Sequence, residues 1–218
     1  GRGASGVACS YRLLRSAIPD HFRRRKREQR ALERLAAEPA ETMVAGPELT
    51  AAVSNAGGCG VFGGGGLPAP YIPQQILHIR SLTDKPFGVN IILPHLQEGQ
   101  IETCLDEKVP ILVLFWGDPK PYVEEAHRRG VKVFIQVGSV AEAKAAAEAG
   151  VDAIIAQGIE AGGHVKSTTS LSTIVPAVVE AVKPVPVIAS GGIADGRGVV
   201  AALSLGAQAV SMGTRFVA

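Results

Sequence analysis

The stretch Pro186–Phe216, PVIASGGIADGRGVVAALSLGAQAVSMGTRF, decides how the rest of the chain is read. An apolar run (Pro186–Ala189) breaks at Ser190-Gly191-Gly192, a helix-compatible GRGVVAALSLGA follows, and a second apolar run, AVSMGTRF, comes after it. Two strands joined by a helix lie parallel, because only a crossover returns the chain to the same end of a sheet. Gly191 and Gly192 after the first strand, and Gly213 before Thr214 in the second run, let backbone N–H groups approach an anion. The helix that follows the first turn adds its positive end. One glycine turn is what any parallel sheet needs. Two of them, one strand apart, predict a phosphate cradle such as the loops after strands seven and eight of a (β/α)8 barrel provide.

Upstream, the same alternation recurs. Strands are predicted at CGVFG (59–63), FGVNIIL (87–93), ILVLFW (111–116), KVFIQVG (132–138) and DAIIAQG (152–158), separated by helical segments near 47–56, 70–82, 98–108, 121–130 and 140–150. The last helix before the decisive stretch carries Leu171, Ile174, Val175, Val178, Val179 and Val182 at the spacing of one apolar face. Continuous apolar strands alternating with helices predict an α/β fold, a TIM-type (β/α)8 barrel of parallel strands. Seven strands are countable. An eighth should precede the helix at 47–56, where AEPAETMV is too polar and proline-rich for a strand. The chain also ends at Ala218, directly after the last strand. A degenerate or missing first strand and a truncated C-terminus are therefore expected. Residues 1–42 read as an irregular arm (1–19) plus a basic, mostly polar helix (Asp20 to about Glu38), and 43–218 as the barrel domain.

The chain of 218 residues is somewhat shorter than the about 250 usual for such a barrel. A hydrophobic content of 46% with 26 glycines argues against disorder. The basic block Arg23–Arg27 accounts for the small net charge of +2, which leaves no basic groove for nucleic acid. No apolar run reaches the roughly 18 residues that span a bilayer. Cys9, Cys59 and Cys104 have neither zinc-ligand nor CxxC spacing. A reducing, cytoplasmic setting is the expectation, although residues 1–19, with arginines and no acid, faintly resemble a transit peptide. A homo-oligomer is compatible with all of this.

Chemistry is expected in the loops after the strands. Asn90 and Gln157 place neutral amides at the barrel mouth, with donors and acceptors that suit the carbonyl and N–H edge of a flavin. The loop after AIIAQG presents Gly162, Gly163 and His164 together, and an imidazole there can transfer a proton near neutrality.

Four separated blocks, GPELTAAVSNAGGCGVFGGGG, LTDKPFGVNIILP, AQGIEAGGHVK and the decisive stretch itself, resemble the nitronate monooxygenase family, formerly called 2-nitropropane dioxygenases. The resemblance spans about Met43 to Ala218. It implies an FMN-dependent TIM-barrel enzyme that oxidises small alkyl nitronates or nitroalkanes with O2 to a carbonyl compound and nitrite. On the matching positions, Met43, Asn90, Gln157 and Gly162 would contact FMN, Gly191, Gly192, Gly213 and Thr214 would surround its phosphate, and His164 would be the catalytic residue. Met43 is what remains of the family's first strand. No metal is implied. Three other readings stay beside this one. The first is an FMN-dependent NAD(P)H:quinone or enoyl-thioester reductase on the same scaffold, and the second a non-catalytic barrel remnant. The third, an IMP dehydrogenase-like enzyme, lacks the cysteine it needs in AGGHVKSTTS.

Overall fold

A computed structural model of the chain describes the backbone of residues 9–11 and the whole of residues 45–216. The strands are β1 (Cys9–Tyr11), β2 (Gly60–Gly63), β3 (Phe87–Ile92), β4 (Ile111–Phe115), β5 (Lys132–Val137), β6 (Ala153–Gln157), β7 (Val187–Ser190) and β8 (Ala209–Met212). The helices between them are α1 (Pro47–Asn55), α2 (Ile72–Leu82), α3 (Gln100–Asp106), α4 (Lys120–Arg128), α5 (Val140–Glu148), α6 (Leu171–Ala181) and α7 (Gly196–Ser204). β2 to β8 run side by side in sequence order and every neighbouring pair among them is parallel. These are seven strands of a TIM-type barrel with helices alternating along the chain, as the periodicity predicts.

Local rules account for the elements. Pro47 opens α1, where its missing N–H would be unpaired anyway, and Gly57 ends it in the left-handed region at φ +88°. Ser139 caps α5 by accepting from Glu142 N at 3.2 Å, and Glu142 in turn accepts from Gly138 N at 2.8 Å. Ile72, Ile76 and Ile79 recur at helical spacing on α2 and are fully buried. Each such side chain contributes roughly 1.5–3 kcal/mol by leaving water.

The twofold alternation of each strand divides the core in two. Val89, Ile91, Leu112, Leu114, Val133, Ile135, Ile154 and Val210 pack outward with the helices. Val61, Ile92, Val113, Phe115, Ala153, Ile155 and Ile188 form a second cluster on the opposite face, inside the curl of the sheet.

Two expectations need correction. The run AVSMGTRF is a strand only to Met212; Thr214–Phe216 is a 3-10 turn closed by Phe216 N donating to the Gly213 carbonyl at 2.9 Å. Within the arm expected to be irregular, Cys9–Tyr11 forms a strand antiparallel to β8, in register from Cys9 opposite Met212 to Tyr11 opposite Val210. Pairing there satisfies backbone groups that an open edge of β8 would leave bare. The remainder of that arm, the basic helix at 20–38, the AEPAETMV segment and Met43 lie outside the described residues.

Candidate active site

The inner face of the sheet is mixed: among apolar Val113, Phe115, Ile155 and Ile188 stand Asn90, Gln136, Gln157 and Ser211, each only 2–3% exposed. Asn90 donates from Nδ2 to the Val113 carbonyl at 3.2 Å, which fixes its amide across the β3–β4 seam. Asn90 and Gln157 are satisfied within the protein, whereas Gln136 Nε2 is enclosed without a partner, and a bare buried amide is costly unless something binds it.

The loop after β6 is built on Gln157. Its Nε2 donates to the His164 carbonyl at 2.9 Å and its Oε1 accepts from Lys166 N at 3.0 Å, so both ends of the amide hold the loop that carries the histidine. Glu160 accepts from Leu171 N at 2.9 Å and so ties the same loop to the start of α6. His164 itself is half-buried, and its Nδ1 is enclosed without a hydrogen-bond partner.

Two residues that the sequence reading did not single out belong here, Trp116 beside His164 and Gln136 next to Trp116. The Trp116 ring meets the imidazole edge-on, with centroids 5.9 Å apart, and its backbone is left-handed at φ 58°. A bulky residue held there marks a position the surrounding structure over-determines. Gln136 on β5 faces the interior next to it: Trp116 N donates to the Gln136 carbonyl at 3.3 Å. The available signals were a lone tryptophan at a strand end followed by glycine, and a glutamine amid the apolar residues of KVFIQVG.

The glycines expected to cradle a phosphate gather at the neighbouring loops. Gly191 (φ +125°) and Gly192 (φ +65°) both adopt conformations that disfavour other residues. A Cβ on Gly191 would stand 3.0 Å from Ala161 N, and one on Gly192 would stand 3.1 Å from the Glu160 Cβ. A Cβ on Gly162 would lie 2.1 Å from Thr214 Oγ1, so the loops after β6 and β8 abut, with Gly213 and Thr214 opening the final turn. The turn after β7 and the loops after β6 and β8 thus pack closely, leaving no room for larger side chains at 162, 191 and 192. One expected contribution is already spent. The first turn of α7 is capped by Asp195, whose carboxylate accepts from Arg197 N at 2.9 Å and Gly198 N at 3.3 Å. The Arg197 guanidinium and those two N–H groups hold the Asp195 carboxyl down at about 2. The positive end of α7 therefore serves an internal anion, which leaves the glycines and Thr214 as the groups expected to meet a phosphate.

At the opposite, N-terminal ends of the strands a hollow is lined by His127, Gly130, Val131, Lys132 and Asp152. Asp152 accepts there from His127 Nε2 at 2.9 Å, Lys132 Nζ at 2.9 Å and Val133 N at 2.8 Å. Burial alone would raise the Asp152 carboxyl, yet these hydrogen bonds outweigh it and hold it below the usual range. Every polar group in the cluster has a partner and it faces away from His164, so it reads as a clamp between β5 and β6. Burial pushes the Cys59 thiol up to about 11 and the Cys104 thiol to about 12, which makes neither a nucleophile. Among the described residues no helix is long and apolar enough to cross a membrane.

Comparison with known proteins agrees with this geometry. The family model for nitronate monooxygenase matches residues 29–101 and 95–218. A probable nitronate monooxygenase from Staphylococcus aureus (strain JH9) is 35% identical, over 78% of this chain and 61% of its own. A (3aS,4S,5R,7aS)-5-hydroxy-7a-methyl-1-oxo-octahydro-1H-indene-4-carboxyl-CoA dehydrogenase from Rhodococcus jostii (strain RHA1) is 38% identical, over 80% of this chain and 49% of its own. Among solved structures, FabK from Thermotoga maritima superposes with a TM-score of 0.75 at 45% identity, covering 79% of this chain and 55% of that one. The nitroalkane oxidase from Streptomyces ansochromogenes gives 0.74 at 31% identity, covering 83% and 65%. The chain spans from about half to just under two thirds of the length of these relatives. With a family model matched along most of its length, the chain belongs to the nitronate monooxygenase family.

Proposed function

We propose that the chain carries the site of an FMN-dependent oxidoreductase acting on small nitroalkanes or alkyl nitronates, with O2 as the final acceptor. The observation that supports it most is the unpartnered, enclosed Nδ1 of His164, held on a loop that abuts the glycine cradle. Gly191, Gly192, Gly213 and Thr214 would hold the phosphate of FMN, and Asn90 would face its ring from the barrel interior. A flavin bound there would supply the redox chemistry between substrate and O2. The protein's own task is orientation and proton handling. Gln157 fixes the His164 main chain, and the imidazole takes the α-proton of a neutral nitroalkane or donates to an anionic nitronate.

The test is to purify the chain, record its absorbance for flavin bands with and without added FMN, and assay nitrite release from nitroethane and ethyl nitronate. Flavin binding with nitrite release supports the reading; no flavin binding at saturating FMN refutes it. A second reading, a flavin enzyme acting on a CoA thioester, is favoured by the 38% identity to a carboxyl-CoA dehydrogenase. Anaerobic bleaching of the bound flavin by NADH, with no nitrite from nitroethane, would choose the second reading over the first.

A further inference from the structure

Among the described residues, three enclosed side-chain polar atoms have no hydrogen-bond partner: Trp116 Nε1, Gln136 Nε2 and His164 Nδ1. They are not scattered. β4 and β5 pair with Phe115 opposite Gln136, Trp116 is joined through its backbone N–H to the Gln136 carbonyl, and its ring stands edge-on to His164. Folded proteins leave few such atoms bare, because a buried polar group without a partner has given up its water for nothing. A cluster of three is explained by a ligand that completes them.

We propose that Trp116 and Gln136 are a donor pair for the two oxygens of the substrate's head group, with His164 Nδ1 as the proton acceptor beside them. The inference rests on the nitroalkane reading above and names the residues that select for it. The indole N–H and the amide NH2 can only donate, so the ligand must bring acceptors to both. An ammonium or an alkyl group leaves them bare. A nitro, nitronate or carboxylate head brings two oxygens in one plane. With a nitroalkane, the bond between the α-carbon and its hydrogen breaks and the proton moves to the Nδ1 lone pair. The electron pair forms the C=N bond, and the resulting negative charge falls on the two oxygens that face Trp116 and Gln136. Donors placed where charge develops are the arrangement that speeds such a step, and loss of one costs roughly 10²-fold in rate. The carbonyl and N–H edge of a flavin presents the same kinds of partner, and competition between propionate and FMN separates the two occupants.

Trp116 is the sole tryptophan of the chain, so its fluorescence reports on this site with or without FMN. The probe is propionate, which has the two-oxygen head and cannot be oxidised by this chemistry; propylamine is the control with the same skeleton and a cationic head. Propionate is expected to change the fluorescence saturably and propylamine is not. Gln136→Met, which keeps the volume and removes the donor, should weaken propionate roughly 10- to 100-fold while leaving FMN affinity within about twofold. Trp116→Phe, which keeps a ring and removes the N–H, should lower kcat/KM on nitroethane by roughly 10²-fold.

The donor assignment is overturned if propionate leaves the fluorescence unchanged at concentrations on the order of 0.1 M, well above a millimolar Kd. It is overturned equally if propylamine binds as well as propionate, or if propionate and FMN compete, which would give the donors to the flavin. All three comparisons use the unaltered chain and stand even if Gln136→Met does not fold. Propionate binding in a chain that takes up no FMN would refute the proposed function and keep the donor pair; FMN uptake without propionate binding would do the reverse.

Discussion

Gln157 holds His164 by the main chain: its Nε2 donates to the His164 carbonyl at 2.9 Å, while its Oε1 takes the N–H of Lys166 at 3.0 Å. The amide therefore sets where the imidazole stands without touching the ring. Gln157→Leu should remove both bonds and let the loop drift. Turnover of nitroethane should fall by roughly 10²-fold, the cost of a misplacement of about 1 Å. Gln157→Glu, which keeps the acceptor and loses the donor, should fall less. Steady-state rates beside an FMN titration check this, and equal losses in the two variants would contradict it.

Gly192→Val should weaken FMN binding. The residue would carry a β-branched side chain at φ +65°, with its Cβ against Glu160. Strain of roughly 1–3 kcal/mol predicts a loss of about 5- to 150-fold in affinity if the loop yields in the free protein and must be restored on binding. Flavin fluorescence titration measures it; unchanged affinity would remove this turn from the cradle.

Acid should destabilise the protein through Asp152. Its carboxyl is held below the usual range, so its contribution is present in full above the carboxylate range and is lost as pH falls through the depressed value. Asp152→Asn should abolish that part of the acid dependence and lower stability at pH 7 by about 1 kcal/mol, a modest figure because the pair is partly open to water. Urea denaturation at several pH values would show it, and parallel stability curves for variant and parent would refute it.

Neither Cys59 nor Cys104 should react with iodoacetamide at pH 7 in the folded state, since burial keeps both thiols protonated at values of about 11 and 12. Mass spectrometry before and after denaturation would follow the labelling. Rapid native alkylation at Cys59 coupled to loss of activity would overturn it.

Asp195→Asn should tighten FMN binding, most at low salt. Asparagine caps a helix about as well as aspartate, so α7 keeps its first turn while a negative charge leaves the neighbourhood of the cradle. Affinity that falls in this variant would mean that Asp195 organises the cradle rather than competes with it.

The barrel was legible because its signals are local. Seven apolar runs set between helical segments are enough to order seven parallel strands, and the glycines at 191 and 192 have the positive φ that a tight strand-to-helix turn predicts. What escaped the reading depends on contacts between distant residues. Gln157 looks like a ligand residue in AQGIEAGGH, and only the folded loop shows that both ends of its amide are taken. Trp116 and Gln136 sit inside apolar runs, where a strand pattern accounts for them as core; their bare polar atoms become visible once β4 and β5 are paired. The end of β8 was overrun for a simpler reason. MGTRF carries strand-like composition, and its 3-10 turn is fixed by one hydrogen bond across Gly213.

The near-contact between Gly162 and Thr214 couples two binding events. These residues belong to loops that follow different strands, yet no side chain fits between them, since a Cβ on Gly162 would stand 2.1 Å from Thr214 Oγ1. Two residues on, the same loop carries His164. A phosphate settling against Thr214 would thus press on the segment that aims the imidazole, and the two events share one free-energy term. By reciprocity, whatever FMN adds to the affinity of a substrate at His164, the substrate adds to the affinity of FMN.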